Sequence, residues 1–117
     1  MSTEPMAVVQ RLYEAVNRGD VDAVPDIFAP DFYSHPLNQT GIEPIRTAWR
    51  MLLDRFPGLR VVPQEMIAAG DRVAVWATID TVPGASADDP PKMMELIRVA
   101  DGRVAEVWGV STLQWRS

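Results

Sequence analysis

Two isolated ionisable residues, His35 and Glu95, stand where a small fold of helices laid on strands would open a pocket, and Asp80 is a third candidate. His35 is the chain's single histidine. An imidazole with an ordinary pKa near ~6.5 is substantially neutral at pH 7 and can take a proton from a carbon alpha to a carbonyl. If Asp80 and Glu95 lie close together in an apolar cavity, one is driven to keep its proton and the other can pair with His35, giving one acid and one base. Each residue also has a plainer reading. His35 precedes Pro36 and suits an exposed loop, Glu95 can pair outward with Arg98 or Lys92, and Asp80 stands before Val82-Pro83-Gly84, where carboxylates commonly cap turns.

The rest of the composition narrows the chemistry. With no cysteine and one histidine, thiol chemistry and multi-imidazole metal, haem or iron–sulfur sites are not expected, and neither a metal nor a cofactor is assigned. A net charge of -5 opposes the counterion-release binding that nucleic acids and anionic membranes reward, so the expected partner is a small hydrophobic ligand. The start lacks a basic and then apolar leader, and no apolar run approaches the roughly 20 residues of a membrane span; a cytoplasmic location is expected. One domain over residues 1–117 is expected from the length.

Three helix-like segments come first. Pro5 suits a first helical position, and Met6, Val9, Leu12, Tyr13 and Val16 recur at helical spacing until Asn17-Arg18-Gly19. Asp20 or Asp22 can cap a second helix carrying Val24, Ile27 and Phe28, with Pro25 in its first turn and Pro30 ending it. Phe32 to His35 reads as a short strand, and Asn38 to Gly41 as loop. Ile45, Trp49, Leu52, Leu53 and Phe56 form the apolar face of a third helix over 43–56, stopped by Pro57-Gly58.

From Leu59 the period becomes alternating, with strands predicted over 59–67, 72–82, 92–100 and 103–113. Helices gathered ahead of a run of strands make an α+β domain with the helices on one face of a mostly antiparallel sheet. The hairpin at Ala100-Asp101-Gly102 decides the faces. A two-residue Asp-Gly turn sets Glu95 beside Glu106 and Trp108, whereas a three-residue loop with Gly102 in a left-handed bulge sets it beside Val107 and Gly109. The second is preferred, with Met94 opposite Trp108 and Arg98 reaching Glu106 diagonally on the other face. Trp49 belongs to a buried helix stripe and Trp108 faces away from Glu95, so the four tryptophans, Trp76 and Trp115 included, are expected to serve core or dimer packing.

The runs AVVQRLYEAVNRGDVDAV, FAPDFYSHP and ELIRVADGRVAEVWGV resemble the SnoaL-like polyketide cyclases and ketosteroid isomerases of the nuclear-transport-factor-2-like superfamily, over nearly the whole chain. The resemblance implies a cone-shaped fold, three helices packed on a curved sheet, and frequently a homodimer. It gives His35 the position of the isomerase's aspartate base, and Glu95 the position of the isomerase's protonated acid, a carboxyl that an apolar site keeps neutral. The isomerase tyrosine falls at Leu12, with Tyr13 about 100° further round the helix. Gly109 stands where cyclase-like relatives often carry an aspartate, and Val107 where they carry a histidine. The resemblance also turns the side bearing Trp76, Thr78 and Asp80 into the pocket, where Tyr13, Ile97, Val107 and Gly109 would complete the ligand-binding surface. The expected activity is therefore cofactor-independent proton transfer of isomerase or cyclase type on a hydrophobic carbonyl compound, with a non-catalytic binding or accessory protein as the alternative.

Overall fold

Gly19, at φ +69°, ends the first helix in the left-handed conformation that glycine adopts freely, and its N–H closes on the carbonyls of Ala15 and Val16. A computed structural model describes residues 2–113 of the chain. Helix α1 spans Pro5–Arg18, with proline in its first turn as its missing donor allows. Its apolar stripe, Val8, Val9, Leu12, Tyr13, Ala15 and Val16, is buried against the sheet. Asn17 ties that helix down with a pair of bonds. Its amide donates to the Val61 carbonyl at 2.9 Å and its oxygen accepts the Val61 N–H at 2.7 Å, satisfying backbone groups on an edge strand.

A single 3-10 turn, Val21–Ala23, leads into the four-residue α2, Val24–Ile27, and no side-chain cap comes from Asp20. The chain turns to strand earlier than predicted: Phe28 opens β1, Phe28–Ser34, rather than closing the helix. The residue before a proline disfavours helical backbone, so Ala29-Pro30 is already extended, and Phe28 pairs in parallel with Val104. Pro30 falls where the ladder between Phe28 and Tyr33 is irregular and needs no donor. His35 lies just past the strand, and the expected loop contains a two-residue strand, β2, Gln39–Thr40, paired with β1. Helix α3 covers Ile42–Arg55.

Strands β3 (Arg60–Ala69), β4 (Arg72–Asp80), β5 (Lys92–Ala100) and β6 (Arg103–Ser111) follow as antiparallel neighbours. The sheet runs β2-β1-β6-β5-β4-β3, mixed because β1 lies parallel to β6. The three helices pack on it, an α+β architecture as expected. Val73, Val75, Ala77 and Ile79 of β4 face the helices, joined by Ile97, Val99, Val104 and Val107. Phe28 meets Phe32 and Trp49 edge to face at 4.7 and 5.8 Å, closing one end of this core. Among the described residues no helix is long and apolar enough to cross a membrane.

The β5–β6 hairpin reaches the preferred facing by another device. Its loop has two residues, Asp101 and Gly102, both at positive φ (52° and 76°), and Ala100 pairs with Arg103. A bulge then moves the register by one: Val99 pairs with Val104 but Arg98 with Glu106, leaving Ala105 over. Val104 and Ala105 are consequently both buried, an interruption of alternation that only an extra residue permits. Beyond the bulge Glu95 lies opposite Gly109, Leu96 opposite Trp108 and Ile97 opposite Val107. Met94 therefore faces Val110, not Trp108, and Arg98 stands directly across from Glu106, not diagonally.

Candidate active site

The bulge decides what chemistry the helix-facing side of the sheet carries. By turning Glu95 inward, it sets a carboxyl beneath α1, where Tyr13 is buried on the apolar stripe, and the Tyr13 hydroxyl donates to Glu95 Oε1 at 2.6 Å. The two groups, 82 residues apart in sequence, share one wall of a cavity of about 220 Å³. Leu12, Phe32, Trp49, Leu52 and Met93 are among its apolar walls, and Ser34 is the other polar residue lining it. The Ser34 hydroxyl already accepts the Leu37 N–H at 3.2 Å. Tyr13 and Glu95 are the titratable groups of this lining.

Burial acts on both partners in the same direction. Desolvation pushes the Glu95 carboxyl above the usual carboxylate range, opposed by the Tyr13 hydrogen bond. Desolvation, and then the neighbouring Glu95 charge, push the Tyr13 phenol up, so that it keeps its proton and remains a donor. The pair thus combines a carboxyl that holds its proton more tightly than a solvated one with a fixed hydroxyl beside it.

Gly109 stands directly across from Glu95, and a Cβ there would lie 3.1 Å from Glu95 Cγ. Val107 lines the cavity, whereas its cross-strand partner Ile97 is fully buried and does not. Tyr13 and Leu12 both line the void, so the residue one step round from the expected tyrosine position still reaches it.

The structure does not bring His35 to Glu95. Ser34 faces the helices, so the next residue falls on the other side of the sheet. There the His35 ring stacks on Trp108 at 4.6 Å, and its Nε2 lies 2.7 Å from Glu106 Oε2. Glu106 also accepts from Arg98 Nε at 3.0 Å; the His35 contact foremost, with Arg98, holds its carboxyl below the usual range. Arg72 covers the Trp108 ring at 5.1 Å. This outer-face cluster pins the turn after β1, and none of its members lines the cavity.

Asp80, Trp76 and Thr78 are likewise on the outer side. The inward residues of β4 are the odd-numbered ones, with Val75 paired to Glu95, so the even-numbered ones point away. Trp76 pairs with Met94, Thr78 accepts the Gln64 amide at 3.1 Å, and Asp80 pairs with Arg60 at the strand end. Asp80 lines a separate hollow under the loop that follows. Trp115 lies outside the described residues. Among the described residues, no three His, Cys, Asp or Glu side chains group closely enough to hold a metal ion.

The SnoaL-like domain model matches residues 9–107. No curated protein matches the chain. Among solved structures, a 96–104 loop-truncation variant of IdmH, from Streptomyces antibioticus, is 27% identical, with 93% of each chain covered and a TM-score of 0.76. A candidate SnoaL-like polyketide cyclase from Jannaschia sp. CCS1 is 26% identical over 92% of this chain and 85% of that one, at a TM-score of 0.74. A SnoaL-like polyketide cyclase from Agrobacterium tumefaciens C58 superposes at 0.81 with 14% identity, covering 95% and 92% of the two chains, a likeness of fold alone.

Proposed function

The chain belongs to the SnoaL-like domain family, and from that premise we propose that it is a cofactor-independent proton-transfer enzyme of the cyclase or isomerase type, acting on a small hydrophobic carbonyl compound. Cyclase-type relatives support the general role. The observation that carries the reading is the Tyr13–Glu95 pair, a raised carboxyl and a protonated phenol at 2.6 Å on the wall of an apolar void.

In this reading Glu95, ionised, removes a proton from the carbon alpha to the carbonyl; the C–H electron pair becomes the carbon–carbon double bond of the enolate and the carbonyl π pair moves onto the oxygen. As Glu95 gains the proton it becomes a poorer acceptor, and the Tyr13 hydroxyl turns its donor capacity to the enolate oxygen. Glu95 then returns the proton to another carbon, which is isomerisation. Alternatively the enolate carbon attacks a second carbonyl, whose oxygen takes the proton, which is ring closure. The sequence-level assignment of base to His35 passes to Glu95, because a base must come within hydrogen-bond reach of the proton it takes.

Exchange of the alpha protons of 2-tetralone in D2O, followed by mass spectrometry, tests this without knowledge of the natural substrate. The wild type accelerates exchange, and Glu95→Gln lowers the rate by about 10²–10⁴-fold, the usual contribution of a positioned acid–base group. Binding of 2-tetralone with no exchange above buffer would leave the binding-protein reading in its place.

A homodimer belongs to the same reading. The outer sheet face carries Ile67, Met94 and Val110, exposed at 58%, 60% and 74%, beside Leu96 and Trp108, an apolar strip that a second copy would cover. Sedimentation should give a dimer for the wild type and a monomer for Met94→Lys/Val110→Lys; a wild-type monomer at micromolar concentration would remove the idea.

A further inference from the structure

Glycine at 109 has no conformational reason to be there. Its φ lies outside the left-handed region, it sits inside β6, and a glycine within a strand weakens it by forgoing side-chain packing. What its bare Cα does supply is room. A Cβ at this position would come 3.1 Å from Glu95 Cγ, 3.5 Å from Glu95 Oε2 and 3.3 Å from the Met94 carbonyl oxygen. The first two contacts are with the side chain that Tyr13 holds, and the third is with backbone that cannot swing aside. Glu95 and Gly109 are direct cross-strand partners on the helix-facing side, so a side chain at either position projects into the same volume.

We infer that Gly109 is a positioning residue: its missing side chain is the slot in which the Glu95 carboxyl lies, and that slot aims Oε1 at the Tyr13 hydroxyl. Any larger residue at 109 crowds the Glu95 stem and pushes the carboxyl off Tyr13 into the cavity. The slot exists because the Ala105 bulge sets the register; without that extra residue the partner of Glu95 would be Trp108. The bulge and the glycine therefore act in series, the first choosing the face and the second the place of the carboxyl on it. The consequence for turnover rests on the proton-transfer reading; the consequence for the hydrogen bond does not.

Gly109→Ala in the full-length protein tests the inference with two readouts. In the wild type the buried Tyr13 hydroxyl proton gives a slowly exchanging downfield proton resonance, absent from Tyr13→Phe. In Gly109→Ala, where the Glu95 stem must give by a few tenths of an ångström, that resonance is displaced or lost and 2-tetralone exchange falls by about tenfold. An unchanged resonance overturns the inference, whatever happens to exchange. A displaced or lost resonance with exchange unaltered upholds the positioning of Glu95 and instead removes the proton-transfer role of the pair. Thermal stability covers the case of a poorly folding variant: Gly109→Ala lowers the melting temperature more in the wild-type background than in the Glu95→Ala background, where the group being crowded is gone. If the loss is equal in the two backgrounds, the glycine serves the strand and not Glu95.

Discussion

Glu95→Gln raises the melting temperature at neutral pH, and the gain shrinks as the solution is acidified. The sign follows from the direction in which burial moves this carboxyl. Its ordinary value of 4.5 applies to the unfolded chain, and in the folded protein it is raised. Between those two values the folded protein binds the proton more tightly than the unfolded chain, so stability is lost as pH rises through the interval. Below about pH 4.5 both states hold a neutral acid, and glutamine, a neutral isostere that can still accept the Tyr13 hydroxyl, changes little. Within the interval the advantage of glutamine grows by up to ~1.4 kcal/mol per pH unit, which for a domain of this size is on the order of 4 °C in melting temperature. Thermal melts of both proteins at a series of pH values measure it. A difference that stays flat across the series would mean that the carboxyl is ionised and solvated in the folded state, and the site would lose its defining property. A residue that costs stability where activity is needed is the usual mark of a functional position.

The fold is more legible in the sequence than the site because it depends on repeated patterns and the site depends on single residues. Helices α1 and α3 and the change to a period of two after Leu59 each draw on many apolar positions, and small errors at their ends do no harm. The chemistry depends on parity. Residue type and resemblance assign His35 to the cavity, yet the strand places Ser34 inward and the histidine outward. One residue of offset exchanges the two faces. The same parity sends Trp76, Thr78 and Asp80 outward, because Val73, Val75, Ala77 and Ile79 are the residues the helices cover. That apolar set is visible in the sequence, and giving it precedence over the ionisable residues orients β4 correctly.

The facing of Glu95 toward Gly109 is legible too, but the three-residue loop invoked for it is not what produces it. The loop itself is the two-residue turn that Asp-Gly favours, and the Ala105 bulge a little further on restores the facing. The sequence does not single out that bulge: Val104 and Ala105 are adjacent apolar residues, but so are Val107 and Trp108 in the same strand. Tyr13 is harder to read, because one helical step turns it about 100° from the direction the resemblance expects. On a helix whose buried stripe includes Leu12, Tyr13 and Val16, a long side chain reaches the cavity from either edge of that stripe.

Tyr13→Phe is expected to move the acid limb of the pH–rate profile for 2-tetralone exchange to higher pH. Two influences set the Glu95 carboxyl, with desolvation raising it and the Tyr13 hydrogen bond lowering it. Phenylalanine keeps the burial and removes the bond, so the carboxyl rises further and a smaller fraction is ionised at neutral pH. A hydrogen bond to a charged group contributes about 1.5–3 kcal/mol, so on the acid limb exchange falls roughly tenfold or more from this cause alone. Alkaline solution recovers that part, because Glu95 can still be ionised there. It does not recover the part due to the donor lost at the enolate oxygen, commonly about 10²–10³-fold for a group of that kind. The two contributions therefore separate on one plot, as a displaced limb and a lowered plateau. A lowered plateau with the limb in place would make Tyr13 a donor to the substrate alone. A displaced limb with the plateau intact would restrict it to tuning Glu95, and a profile identical to the wild type would remove Tyr13 from the mechanism.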